Sequence, residues 1–264
     1  MRVLLAGAGG ALGTSVGSAL RAAGVVVVPS PRWTLAELET GPPAALAERL
    51  PLEVDSVVNA AGLAAPAAGP GRELSALNVA LPLVLATHAR RRDVPFTQVS
   101  SLSVLGAHDR RDAAPGTLAE PATPYGASKL AAELALVDLF DDCPEQLRLI
   151  RFGAWLGDRR LPALPALPVS RAALDRRPFM DRAGLVTCVL ACAGAAGARP
   201  SGVVVLPPPL PSDVRTVLQA AGIRPLPLPA VPFTAVLAGL ERVCARSPRW
   251  TARLRRYEVL ALAR

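Results

Sequence analysis

Residues 2–24 read RVLLAGAGGALGTSVGSALRAAG, and the fold of the chain turns on them. Residues 2–6 are a nearly unbroken apolar run, the pattern of a strand buried on both faces. Gly7, Gly10 and Gly13 follow at three-residue spacing, and ALGTSVGSALRAAG then reads as a helix ending at Gly24. Glycines between a strand and a helix let the backbone turn sharply and let a pyrophosphate approach the helix N-terminus. There the unpaired N–H groups and the helix dipole favour an anion. A tight turn in an alanine-rich chain would also use glycine. The order of strand, loop and helix favours dinucleotide binding, with Gly7, Gly10 and Gly13 at the cofactor.

The pattern repeats outward from this start. VVVV (25–28) is a second strand, ended by prolines at 29 and 31. VDSVV (54–58), PFTQVS (95–100) and LRLIRF (147–152) are further strands, and 72–91 and 123–140 are long enough for helices. GLVTCVLACAGAA (184–196) and VVVL (203–206) add one more helix and strand. Strand and helix in alternation specify an α/β fold, a Rossmann-type doubly wound parallel sheet. Residues 158–182 and 207–232 differ in texture, rich in proline and arginine, with leucine and proline alternating as in packed extended segments. The expected division is a dinucleotide-binding domain of 1–157 plus 183–206. A small C-terminal substrate lobe would comprise 158–182 plus 207–264.

Composition narrows the function. Hydrophobic content of 51% and a mean hydropathy of +0.35 supply a large core, and only 4% is aromatic, so Ala, Leu and Val must fill it. No apolar run reaches the ~18 residues that span a bilayer. The N-terminus enters its glycine loop after few residues, so no cleaved signal peptide is expected. The four cysteines form no CxxC pair and have no histidine near them in sequence, so buried free thiols of a cytoplasmic protein are expected, and no metal. Net charge is +8, but residues 1–150 carry 12 basic and 15 acidic side chains, whereas 151–264 carry 17 and 6. Basicity confined to the C-terminal part, without an RNA-binding signature, suits a phosphate-bearing small molecule as well as it would a polynucleotide. The acidic sheet domain speaks against nucleic acid.

Cofactor choice should be written at the end of the second strand, where NAD sites carry a carboxylate for the ribose hydroxyls. The chain has PSPRW (29–33) there, with no acid. Ser30 and Arg32 could bind a 2′-phosphate that an acid would repel; a solvated arginine in a loop is the equal alternative. NADP is the expected cofactor and NAD the alternative.

PYGASK (124–129) holds the only lysine of the chain, and Tyr125 is one of two tyrosines. Four residues apart on a helix, Tyr125 and Lys129 share one face. A tyrosine with a pKa of about 10 is a poor base at neutral pH. A positive charge about 6 Å away, at an effective dielectric of about 20, favours phenolate by roughly 2.8 kcal/mol, about two pKa units. An oxidised nicotinamide could supply the rest. The pair then reads as an acid/base, and a compact ammonium can reach where a planar guanidinium fork cannot. An ordinary helix surface would equally carry both residues. SSLSVLG (100–106) follows the strand 95–100, and Ser101 is the expected carbonyl anchor, with Ser100 and Ser103 as alternates. NAAG (59–62), with Asn59, Ala60 and Ala61, is a strand-edge turn expected to border the cofactor.

Together these stretches resemble the extended short-chain dehydrogenases/reductases, in their epimerase/dehydratase and sugar-nucleotide reductase group. The likeness rests on GxxGxxG at 7–13, NAAG, Asn78 in LNVALPLVLATHA, SSLSVLG and YGASK, in order over residues 1–157. RFGAWLG (151–157) looks like the family strand leading to the substrate lobe. The resemblance implies Tyr125 as acid/base, Lys129 as its partner, Ser101 as carbonyl anchor, Asn78 at the cofactor and Arg177 at a substrate phosphate. Departures are informative. Leu105 stands where a tyrosine is common, and Gly184 replaces an acid seven residues after Arg177. Leu102-Ser103 replace the Asp-Glu pair of the dehydratases, which argues against dehydration. The resemblance therefore implies an NADP-dependent ketoreductase of a nucleotide-diphosphate-linked deoxysugar. The alternatives are a sugar-nucleotide epimerase, a reductase of a non-sugar ketone in a secondary pathway, and a non-catalytic dinucleotide sensor. A small-molecule substrate and a second copy of the chain, as a homodimer, are the expected partners; nucleic acid and membrane are not.

Overall fold

The computed structural model describes residues 1–63, 71–106, 114–155, 166–170, 179–180, 182–195, 204–205 and 224–228. β1 (Arg2–Ala6) pairs in parallel with β2 (Val26–Pro29) on one side and β3 (Ser56–Asn59) on the other, so Leu4 lies between Val28 and Val57. β4 (Phe96–Val99), β5 (Leu147–Ile150) and a short β9 (Val204–Val205) extend the sheet in the order β2-β1-β3-β4-β5-β9, every pair parallel. The chain leaves β1 toward one edge and returns to its other side at β3. That reversal opens a crevice at the carboxyl ends of β1 and β3, where such sheets take their ligands.

Side chains alternate along each strand, and the two faces gather separate cores. Leu5, Val58, Val99 and Ile150 pack under α1 (Ala11–Ala22) and α7 (Arg182–Ala193), with Val16, Leu20, Leu185 and Val189. Leu4, Val57, Phe96 and Leu149 face α3 (Pro43–Ala47), α5 (Leu81–Arg92) and α6 (Pro124–Leu139). With few aromatics to place, the chain stacks two of them, Phe96 of β4 on Phe140 beyond α6, ring centroids 6.2 Å apart. The doubly wound parallel sheet is the fold.

The β2–β3 connection adds two short helices to the expected pattern. α2 (Leu35–Thr40) opens on a capping box: the Glu37 amide donates to Thr34 Oγ1 at 3.2 Å, and the Thr34 amide donates to the Glu37 carboxylate at 2.7 Å. Glu37 also meets Arg49 at 2.5 Å, and Arg49 lies 4.5 Å over the Trp33 ring.

The expected helix 72–91 is built in three parts: α4 (Gly71–Ser75), a π-helical turn Ala76–Ala80, and α5. Pro82 gives the physical reason. It has no N–H, and its ring would press on the Asn78 carbonyl in a regular α ladder; a wider turn relieves both.

Most of the expected lobe, residues 158–182 and 207–264, lies outside the described residues. Within it, β7 (Ala166–Ser170) pairs in parallel with β10 (Arg224–Leu228), joining its two sequence segments. Separately, β6 (Ala154–Trp155) pairs in parallel with β8 (Phe179–Met180). Prolines at 168, 225 and 227 sit in the two-stranded β7–β10 ribbon, as fits strands with free edges. Among the described residues no helix is long and apolar enough to cross a membrane.

Candidate active site

The glycine loop meets the turn after β3 at the crevice. Gly7 has φ +78°, and a side chain there would lie 2.6 Å from the Ala61 amide nitrogen and 2.8 Å from the Ala60 carbonyl. A methyl at Gly13 would overlap the Gly7 carbonyl. Gly10 is the N-cap of α1, with no side-chain cap and no acid in the first turn. The first-turn N–H groups of a 12-residue helix thus face the crevice with no side chain capping them. That cradle fits the pyrophosphate of a dinucleotide.

At the end of β2 the two predicted residues differ. Ser30 donates to the Pro31 carbonyl at 3.2 Å and accepts from Trp33 Nε1 at 3.4 Å, so its hydroxyl already serves the turn. Arg32 is exposed and makes no ion pair or hydrogen bond among the described residues. The stretch PSPRW at this strand end contains no carboxylate.

At the end of β3, buried Asn59 accepts from the Ala61 amide and donates to Gln98 Oε1 on β4, both at 2.9 Å. Gln98 in turn donates to the Val99 carbonyl at 2.9 Å. Ala60 continues the strand edge, its amide bonded to the Ala6 carbonyl. Asn78, in the π turn, accepts from the Leu63 amide at 2.9 Å and donates to Ser128 Oγ at 3.0 Å. Ser128 donates to the Tyr125 carbonyl at 2.8 Å. Asn78 therefore fastens both the NAAG turn and α6.

α6 starts as its sequence requires: Thr123 caps it by accepting from the Gly126 amide at 3.1 Å, and Pro124 takes the first helical position. Tyr125 follows in the first turn and Lys129 one turn later. The Lys129 ammonium is buried and donates to the Val99 carbonyl at 3.4 Å, beside Gly62. Desolvation pushes its pKa from 10.5 down to about 8, with Glu133 acting the other way. Burial raises the Tyr125 phenol above its ordinary value, and a hydrogen bond with Ser101 pulls it back in part. The lowering partner in the structure is thus Ser101, where the sequence expectation gave that task to Lys129, and the net direction is upward.

Among the three candidate serines, Ser101 alone bonds the tyrosine. It sits in extended backbone as the N-cap of a 3₁₀ turn, Leu102–Leu105, and accepts from the Ser103 amide at 3.1 Å. Alternation along extended chain turns Ser100 the other way, where it donates to the Glu133 carboxylate. Glu133 is also gripped by Arg151 at 2.8 and 3.1 Å, both side chains being buried. Arg177 lies outside the described residues.

Sequence reading missed Glu133, Arg151, Gln98 and Ser128. The four-residue step from Lys129 to Glu133 was the available signal, since it places an acid on the same helical face.

Residues 3–164, more than half of the chain, match the NAD dependent epimerase/dehydratase family. No curated protein matches the sequence. Among solved structures, RMD from Pseudomonas aeruginosa, complexed with NADPH, is similar over 86% of this chain and 87% of that one, with 21% identity and a TM-score of 0.67. MoeE5 in complex with UDP-glucuronic acid and NAD shares 23% identity over 87% of this chain and 86% of that one, with a TM-score of 0.67. A dTDP-4-dehydrorhamnose reductase from Clostridium acetobutylicum shares 16% over 88% and 85%, with a TM-score of 0.65. At such identities the likeness is one of fold. The family match carries more, and it agrees with the dinucleotide cradle: the chain belongs to the NAD-dependent epimerase/dehydratase family of nicotinamide-dependent enzymes.

Proposed function

We propose that the protein is an NADP-dependent ketoreductase acting on a keto group of a nucleotide-diphosphate-linked sugar. The observation that carries this reading is the Tyr125 phenol. A phenol is protonated at neutral pH on its ordinary pKa of about 10, burial shifts it further in that direction, and Ser101 is bonded to it. A protonated phenol is the acid that carbonyl reduction needs. A bound reduced nicotinamide supplies hydride to the carbonyl carbon; the remaining work falls to side chains. Ser101 orients the carbonyl oxygen by a hydrogen bond, and Tyr125 gives that oxygen its proton as negative charge develops. Lys129 presents its ammonium to the cofactor ribose. Gly7, Gly10 and Gly13 leave room for the pyrophosphate, Asn59, Ala60, Ala61 and Asn78 shape the adjoining wall, and Arg32 takes the 2′-phosphate. The missing carboxylate after β2 supports NADP, and Leu102-Ser103 in place of an acid pair speaks against dehydration.

The lobe of residues 158–182 and 207–264 is proposed to receive the sugar nucleotide, with Arg177 at its diphosphate and the excess of basic residues drawing it in. The experiment is to follow nicotinamide absorbance with NADPH and a keto-sugar nucleotide. The wild type should oxidise NADPH, and Tyr125→Phe should bind the cofactor normally while turning over roughly 10²-fold slower or worse. Near-normal turnover by that variant would refute the mechanism. An equal rate with uncharged ketones would replace the sugar nucleotide by a simple ketone.

A further inference from the structure

Glu133 lies outside the reacting groups, yet it stands one helical turn from one of them and is bonded to the sequence neighbour of another. It follows Lys129 by one turn of α6, and both are buried, at 3% and 5% exposure. Ser100 donates to its carboxylate from the end of β4, the neighbour in sequence of the serine that bonds Tyr125. Arg151, just beyond β5, clamps the same carboxylate with Nε and Nη2. Among the described residues, the charged group acting on the Lys129 ammonium is Glu133, one turn on along its own helix, with Tyr125 one turn back. The neighbouring strand ends and the π turn present Gly62, the Val99 carbonyl and Asn78, which are neutral. One buried carboxylate thus lies a helical turn from one buried cation and is bonded to a second.

We propose that Glu133 and Arg151 are positioning residues that set the charge of Lys129: the carboxylate keeps the ammonium protonated, and the guanidinium keeps the carboxylate ionised and in place. This rests on the reading of Lys129 as a cofactor-holding ammonium, but its test does not depend on turnover. Lys129 is the only lysine in the chain, so lysine labelled with ¹⁵N at Nζ gives a single side-chain resonance to titrate in the full-length protein. In the wild type that resonance should titrate near 8, as burial requires. Glu133→Gln removes the favourable charge and should lower the midpoint by about one to two pH units. Arg151→Met leaves the buried carboxylate without its cation, which favours its protonated form, and should also lower the midpoint, so the test survives if Glu133→Gln fails to fold. The affinity for NADPH should lose its dependence on the protonated state at correspondingly lower pH in Glu133→Gln. Midpoints in either folded variant that match the wild type would overturn the proposal and leave the pair a purely structural bridge. Shifted midpoints with unaltered NADPH affinity would uphold the charge coupling and instead remove Lys129 from the cofactor site.

Discussion

Replacing Lys129 with methionine should make the fold more stable and the site worse. The ammonium is buried, and its pKa falls from 10.5 to about 8. A displacement of about 2.5 units corresponds to about 3 kcal/mol set against folding. Below pH 8 the lysine is charged in both folded and unfolded chains, and the whole penalty acts. Between pH 8 and 10.5 the folded chain has released the proton while the unfolded chain keeps it, so the penalty fades as pH rises. Methionine has similar length, is apolar and adapts to irregular gaps. Lys129→Met should therefore gain about 1–3 kcal/mol at pH 7, allowing for relaxation around the charge, and the gain should shrink toward pH 10. Urea unfolding of both proteins at the two pH values measures it, and a parallel titration should show weaker NADPH binding. A variant less stable than the wild type at pH 7, or a gap that does not change with pH, would refute the argument. A residue that weakens the fold where it stands is kept for its chemistry.

Two further substitutions test the cofactor cradle. Arg32→Ala should reduce the preference for NADPH over NADH by about 10- to 150-fold, the worth of one charge-assisted bond, with NADH affinity unchanged in a direct titration. If the preference survives, the 2′-phosphate is held elsewhere. Gly13→Ala should press a methyl into the Gly7 carbonyl, lower the unfolding free energy read from urea titration by an overpacking cost of about 1–3 kcal/mol and weaken either nucleotide at least about tenfold. An alanine variant that binds as the wild type does would mean that the loop has slack the structure does not show.

The sheet was legible because its inner strands are buried on both faces and all read as short apolar runs. The expected strand at 54–58 shifts to Ser56–Asn59, since Asp55 is held by the Arg2 amide at 2.6 Å, just ahead of the ladder. The helix after Pro31 was missed, although Thr34 and Glu37 carry the capping-box spacing. Tyr125, Lys129 and Ser101 could be picked out by residue type, scarcity and place after a strand. Gln98 could not, because its partner Asn59 stands 39 residues away, and for Glu133 the spacing from Lys129 marks a shared helical face but not the Ser100 contact 33 residues away. A buried acid on a helix declares its purpose only when the sheet brings Ser100 and Arg151 to it. The direction of the phenol's shift depends on how deep α6 seats it, and residue spacing does not record depth.

The hydrogen bonds running from Ala61 through Asn59 and Gln98 to the Val99 carbonyl, and from that carbonyl to Lys129, bear on how tightly a ligand can be held. A lysine on an open surface has about 2 kcal/mol of rotamer entropy to lose when something immobilises it. At position 129 the stem is already packed and the ammonium already bonded to Val99. Asn59 and Gln98, locked amide to amide, are equally still. A molecule entering the crevice thus meets donors and walls whose freedom was surrendered when the chain folded. Binding there should lose less entropy than contacts of the same chemistry on a mobile loop, and the affinity gained per contact should be correspondingly greater.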